Sequence, residues 1–338
     1  MKKEKKNVIL CDCNPPEKWS FQNGVVESSK MAWERIEKVN NNQKGRFAGI
    51  KRYIRYFTFS FHSFCNRKKY KNIIAWQQFY GLIYAFFCRL FHVKKVNNLF
   101  IMIFIYIPKK GFKGKIYKKF MRYMVTSKYI DKIIVFSSTE AKRYSEELDV
   151  DENKFVFLPF GDDVIESNTK VELEDGFIFT SGYSNRDYDF LIDTLSGTSY
   201  VTRIYGKTNY CNDNIIMSDE YIGPKLDSML KKCKLVVVPL KENRESGQFT
   251  ILHAMQAGIP VIATDTDCMK DYIQDGVNGF LCPNNKEKWL EKINLLYSDE
   301  ELYKKLSDNC KRIYAEKHTL IALGKNVGNV ISKALEEN

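Results

Sequence analysis

The residues best suited to chemistry lie in the run VVVPLKENRESGQFTILHAMQAGIPVIAT, positions 236–264. An apolar strand ends at Pro239, and a polar loop at 241–245 leads into Ser246, Gly247 and Gln248, which open a helix. A glycine lets backbone come close to a ligand, and the first amides of a helix have no intrahelical partner. With about half a positive charge from the helix dipole, those amides make a seat for an anion. Ser246 reads equally well as an N-cap. Glu245 resists so plain a reading. A carboxylate beside an anion seat repels a phosphate unless it points past it, toward hydroxyl groups attached to the phosphate, such as those of a sugar.

A second such place is TSGYSNRDYDFLI, positions 180–192, where a strand end is followed by Gly182 and a polar turn into a helix. Arg186 is the cation of that turn. The same SNRD is also an N-cap signature. Lys207, in RIYGKTN, follows another strand end and either adds charge to the pocket or is a solvated loop lysine. Asn23-Gly24, after the first strand, is a candidate for a glycine turn that approaches the ligand from the other domain, though an NG pair is ordinarily only a turn. No metal is expected. The nine cysteines are scattered, with no CxxC spacing. The Asp-x-Asp triplets at 149–151, 187–189 and 265–267 read as helix ends, helix starts and a turn.

These residues need a frame that brings strand ends together. Apolar runs at 8–11, 72–76, 99–106, 132–137 and 155–158 read as strands, with helices between them that include 28–39 and 139–148. Strands that are apolar without alternation are buried on both faces, and intervening helices make right-handed parallel crossovers. The pattern restarts after a polar link at 161–175. Strands follow at 176–180, 200–204, 215–217, 235–239, 260–263 and 279–281, with helices at 186–195, 224–232, 247–257, 268–274, 285–297 and 302–314. The fold class is therefore α/β: two Rossmann-like domains, residues 1–165 and 166–315, facing each other across a cleft. A C-terminal helix at about 316–338 is expected to pack back on the first. The chain length of 338 suits two domains, and ligands in such sheets sit at the carboxyl ends of the strands.

Apolar residues make up 44% and charged residues 28%, which excludes a disordered or low-complexity protein. The net charge of +12 is unevenly placed: residues 1–160 hold 32 Lys and Arg against 13 Asp and Glu. No acidic residue occurs between Glu37 and Asp131, where 21 Lys and Arg fall. So one-signed a surface calls for an anionic partner. No membrane span or signal peptide is expected, because the apolar runs are too short or interrupted by polar residues. Two stretches, 79–93 and 114–128, combine apolar residues with flanking Lys and Arg and read as helices lying on an anionic membrane. Nucleic acid is not the expected partner, because no recognised binding pattern is present.

The loop, the helix opening at Gly247, the run AMQAGIPVIAT and the run DYIQDGVNGFLCP resemble the donor-binding domain of glycosyltransferase family 4. That family comprises retaining, metal-independent enzymes of GT-B fold that use a nucleotide sugar. The resemblance covers about residues 130–315. It implies that Glu245 binds hydroxyls of the donor sugar, that Gly247, Gln248, Phe249 and Thr250 hold the diphosphate, and that Arg186, beside Gly182, neutralises the leaving nucleoside diphosphate. The family's second glutamate, which holds the ribose, falls on His253, a departure that leaves a neutral ring with one acceptor nitrogen. The run IFIYIPKKG carries no histidine at the strand end where the family has one, so no general base is assigned. The resemblance implies a UDP- or GDP-linked donor and a lipid-linked or glycan acceptor in bacterial surface polysaccharide synthesis. It also implies a cytoplasmic enzyme bound peripherally to the inner face of the cell membrane. The alternatives are a non-catalytic partner subunit of the same fold and a basic nucleic-acid-binding protein.

Overall fold

The structure is a computed structural model that describes residues 4–38, 48–163, 176–206, 209–219, 224–244 and 246–337. The chain divides into two compact units, Met1–Leu158 together with Ile321–Asn338, and Pro159–Leu320.

The first unit is built on β1 (Lys6–Cys11), β2 (Trp33–Glu37), β3 (Tyr70–Ala75), β4 (Asn98–Ile101), β5 (Lys132–Val135) and β6 (Phe155–Phe157). Their order in the sheet is β2-β1-β3-β4-β5-β6, and every pairing is parallel. The helices are α1 (Ser20–Ser29), α2 (Ala48–Cys65), α3 (Gln78–Leu90), α4 (Gly111–Val125) and α5 (Ser138–Leu148). Val8, Leu10, Ile73, Ala75, Leu99 and Ile101 point to one face of the sheet and form one core with side chains from α2 to α5. Their sequence neighbours Ile9, Ile74 and Phe100 are equally buried and point to the other face. Burial on both faces explains why these strands lack alternation.

The second unit contains β7 (Ile178–Ser181), α6 (Tyr188–Leu195), β8 (Thr202–Tyr205), β9 (Tyr210–Cys211), β10 (Ile215–Ser218), α7 (Pro224–Lys232) and β11 (Leu235–Val238). It continues with α8 (Gln248–Ala257), β12 (Val261–Thr264), α9 (Asp267–Lys270), β13 (Gly279–Cys282), α10 (Lys286–Ser298) and α11 (Glu300–Ile313). The sheet order is β13-β12-β11-β7-β8-β10-β9, parallel except for the edge strand β9. The last helix, α12 (Leu320–Glu336), returns the chain to the first unit.

Three expectations are corrected. Residues 28–39 are not one helix. Lys30 takes the left-handed conformation (φ 56°) and ends α1, and Trp33–Glu37 pairs with β1 as an edge strand. Pairing with a buried neighbour overrides the helix preference of Glu and Arg. The strand expected at 99–106 stops at Ile101, since Ile103 is left-handed (φ 52°). The stretch 79–93 is mainly a core element, with Leu90 and Phe91 exposed at its end. In α3, Tyr80 through Ala85 and Cys88 are buried, as befits a helix apolar all round.

Gly24 is corrected as well. It lies inside α1 rather than in a turn after β1, and a Cβ there would overlap the Ile321 carbonyl at the start of α12. Gly324 and Gly328 repeat the contact from the other side, against the Phe21 carbonyl and Ser28 Oγ. The two helices meet backbone to backbone, and Lys325 Nζ reaches Glu27 Oε1 at 2.8 Å beside the contact. Gly24→Ala and Gly324→Ala are each expected to destabilise the protein by about 1–3 kcal/mol, the usual cost of overpacking, read from the midpoint of urea unfolding. An unchanged midpoint would show that the helices do not meet this closely.

Candidate functional site

Strands β7 and β11 are parallel neighbours, so the loops that leave their carboxyl ends emerge side by side. Asn185, left-handed at φ 54°, ties them together. Its Nδ2 donates to the Glu242 carbonyl at 2.8 Å, and the Glu242 amide donates back to its Oδ1 at 3.0 Å. The Asp187 amide donates to the Pro239 carbonyl at 3.0 Å. The Asp187 side chain caps α6 by accepting from the Phe190 amide, which is why that helix starts two residues later than the SNRD run implies.

Arg186 lies between the loops and is only 8% exposed. Its Nε and Nη2 donate to the Ser181 carbonyl at 3.1 and 3.0 Å. Nη1 donates to the Ser184 carbonyl at 3.1 Å and to Ser246 Oγ at 2.8 Å. Ser246 Oγ in turn donates to the Ser184 carbonyl at 2.7 Å, so this serine is a strut for the arginine and not an N-cap. Four of the five guanidinium N–H groups are thus engaged by the two loops, and the Tyr188 phenol lies against the guanidinium as well. Two left-handed glycines lie against Nη2. A Cβ on Gly182 (φ 121°) would come within 2.8 Å of Nη2, and one on Gly247 (φ 102°) within 3.2 Å. Among the described residues no carboxylate pairs with Arg186. Burial pulls its pKa below the usual guanidinium value, yet an arginine stays charged, so the pocket holds a positive charge that an anion would complete. The Tyr188 phenol, donating to the Gly182 carbonyl at 2.6 Å, is pushed up to about 12 by burial.

Helix α8 starts beside this charge. Gly247 stands at its N-cap with no side-chain cap, and among the described residues the amides of Gln248, Phe249 and Thr250 have no acceptor. Thr250 Oγ1 lies 2.8 Å from Ser181 Oγ, which fixes the first turn of the helix against the end of β7. Gln248 is buried, and its Nε2 has no partner among the described residues. Phe249 is exposed and rests edge-on against Phe160. His253, one turn along, sits half-buried with Nε2 3.2 Å from Asp162 Oδ2. A carboxylate only accepts, so Nε2 is the donor of this contact, which in a neutral ring leaves Nδ1 as the acceptor.

The structure therefore brings together Gly182, Arg186, Ser246, Gly247, Gln248, Phe249 and Thr250, with His253 a turn away. Glu245 and Lys207 lie outside the described residues, and Gly24 belongs to a helix contact in the other unit. Sequence reasoning misses Ser181, Asn185 and Asp162. A polar residue at a strand end is the only signal for the first, and nothing local marks the other two.

Residues 211–313 match the family model described as glycosyl transferases group 1. An uncharacterised glycosyltransferase of Methanocaldococcus jannaschii is 27% identical over 217 residues, 61% of this chain. The match spans 59% of that relative's length. Anabaena HepE, solved in complex with UDP, superposes with a TM-score of 0.65 at 13% identity, covering 97% of this chain and all of that one. A sucrose-phosphate synthase from Thermosynechococcus elongatus superposes with a TM-score of 0.69 at 11% identity, over 99% of this chain and all of that one. The fold is GT-B, and the family match supports a group 1 glycosyltransferase.

The pocket's chemistry can be checked without any sugar. Inorganic pyrophosphate is expected to raise the thermal midpoint of the wild-type protein. At a hundredfold excess over its Kd the stabilisation is about 2.7 kcal/mol. Arg186→Lys, which keeps charge but loses the fork, should weaken the shift. Arg186→Ala should abolish it. The same shift in all three proteins would remove Arg186 from an anion site.

Proposed function

We propose that this protein is a retaining glycosyltransferase of family 4 that moves a hexosyl group from a UDP- or GDP-sugar to a lipid-linked glycan acceptor. We place it in bacterial surface polysaccharide synthesis, acting on the inner face of the cell membrane without a metal. One observation carries the reading: a buried guanidinium with no carboxylate partner among the described residues stands beside the uncapped start of a helix. Those two features together suit a diphosphate, and the UDP bound by Anabaena HepE supports a nucleotide donor.

In this reading Arg186 and the amides of Gln248, Phe249 and Thr250 hold the diphosphate, with Gly182 and Gly247 allowing its close approach. Glu245 accepts hydroxyl protons of the donor sugar, Lys207 adds positive charge, and His253 offers Nδ1 to a ribose hydroxyl. The bond between the anomeric carbon and the phosphate oxygen breaks, and one to the acceptor oxygen forms. The acceptor's proton passes to the departing phosphate oxygen, so no separate general base is required. The charge that develops on that oxygen meets donors already fixed in place, the arrangement that contributes most in such reactions. The basic first unit supports an anionic, membrane-borne acceptor.

The experiment is release of nucleoside diphosphate from a panel of nucleotide sugars by the purified protein. Glu245→Gln is expected to keep nucleotide affinity while losing at least about 2 kcal/mol of transition-state stabilisation, roughly thirtyfold in turnover. Activity is expected to persist in EDTA. Wild-type turnover in Glu245→Gln would sink the assignment of that residue, and no release from any donor would sink the enzyme reading.

A further inference from the structure

Among the described residues, fourteen of the sixteen exposed large apolar side chains belong to the first unit, and thirteen of those fall between Ile50 and Tyr123. They are ordered. On α2, Ile50, Ile54, Phe57 and Phe61 recur at the helix period and form a stripe facing water. On α4, Phe112, Ile116 and Phe120 do the same, with Phe112 77% exposed. The two stripes are joined through α3. Phe87 touches Phe61 at a ring separation of 5.1 Å, its neighbour Phe86 touches Phe120 at 5.9 Å, and Phe86 and Phe87 lie 5.6 Å apart. Isolated exposed hydrophobics need no explanation, but a continuous ridge along two helices does.

The charges around the ridge say what covers it. Lys113, Lys115, Lys118 and Lys119 flank the α4 stripe, all exposed, and among the described residues none of them is in an ion pair. Lys51 and Arg52 flank the stripe on α2 and are likewise exposed. No acidic residue interrupts the sequence from Lys38 to Ile130. A nucleic acid would engage the cations and leave the apolar stripes in water, whereas an anionic lipid surface takes both.

We propose that the paired stripes of α2 and α4 are the element that enters the membrane, with their apolar side chains below the headgroups of anionic lipids and their lysines among those headgroups. This rests on the lipid-linked acceptor proposed above and names the surface that serves it. It replaces the apolar stretch at 79–93, which is the packing layer beneath, and it draws in α2, which the sequence pattern does not mark.

The test is flotation of the full-length protein with vesicles of phosphatidylglycerol and phosphatidylcholine, at low and high salt, beside vesicles of phosphatidylcholine alone. The wild type should bind the anionic vesicles and release with salt. The paired variants Ile50→Ser with Ile54→Ser, and Phe112→Ser with Ile116→Ser, alter exposed side chains and should melt like the wild type. Each should lose at least about tenfold in vesicle partitioning at low salt. Variants that bind as the wild type does would overturn the assignment of this surface while leaving membrane association standing. A wild type that ignores anionic vesicles yet releases nucleoside diphosphate from a donor would overturn the inference and spare the enzyme reading; vesicle binding with no such release would do the reverse. Retention by nucleic acid in place of vesicles, or a dimer that the variants turn into a monomer, would assign the ridge to another partner and overturn it too.

Discussion

A guanidinium withdrawn from water is the constraint around which the second unit is arranged. Taking such a charge out of solvent costs several kcal/mol, and only closely fitted hydrogen bonds and a counter-charge offset it. Here four bonds to the Ser181 and Ser184 carbonyls and to Ser246 hold Arg186. Because those oxygens sit on two different loops, the same bonds dock the loop after β7 onto the loop after β11. Asn185 repeats the tie one residue earlier. The glycine at 182 follows from the arginine's position, since a Cβ there would collide with Nη2, while one at 247 would collide with Val238 and crowd Nη2. What the described residues do not supply is an anion, and the uncapped start of α8 opens beside that unmet charge.

Much of this arrangement is legible in the amino-acid sequence. The strand, loop and helix of the 236–264 run are local, and their period and glycines fix their kind. Arg186 is singled out by the family resemblance, since the bare SNRD turn reads only as the start of a helix. The cap at Asp187 is legible in SNRD, but the role of Ser246 is not, because whether a hydroxyl caps its own helix or props a distant guanidinium depends on a contact sixty residues away. Asp162 beside His253, ninety-one residues apart, is hidden for the same reason. Gly24 misleads in the opposite direction. Its neighbour Asn23 makes a local turn the natural reading, whereas the partner that requires a glycine is Ile321 near the end of the chain.

The first unit shows where periodicity alone falls short. An apolar helix beside lysines has the composition of an interfacial helix, and α3 has that composition yet is a core element. The helices laid over it, α2 and α4, are less apolar on average but leave their apolar side chains in water. Composition therefore points to the right region and the wrong helix, and only the sheet, by claiming one side of α3, decides which layer remains outside. The two units thus divide the physical work: one concentrates a buried positive charge at strand ends, and the other spreads positive charge around an apolar ridge.

The central claim is that Arg186 and the first amides of α8 seat a diphosphate. It is tested most directly by amide and guanidinium NMR spectra of the full-length protein, titrated with UDP or GDP and with the matching nucleoside. The account predicts that the Gln248, Phe249 and Thr250 amides and the Arg186 Nε resonance shift with the diphosphate and stay in place with the nucleoside. Saturable binding of the diphosphate with those four resonances unmoved would contradict it.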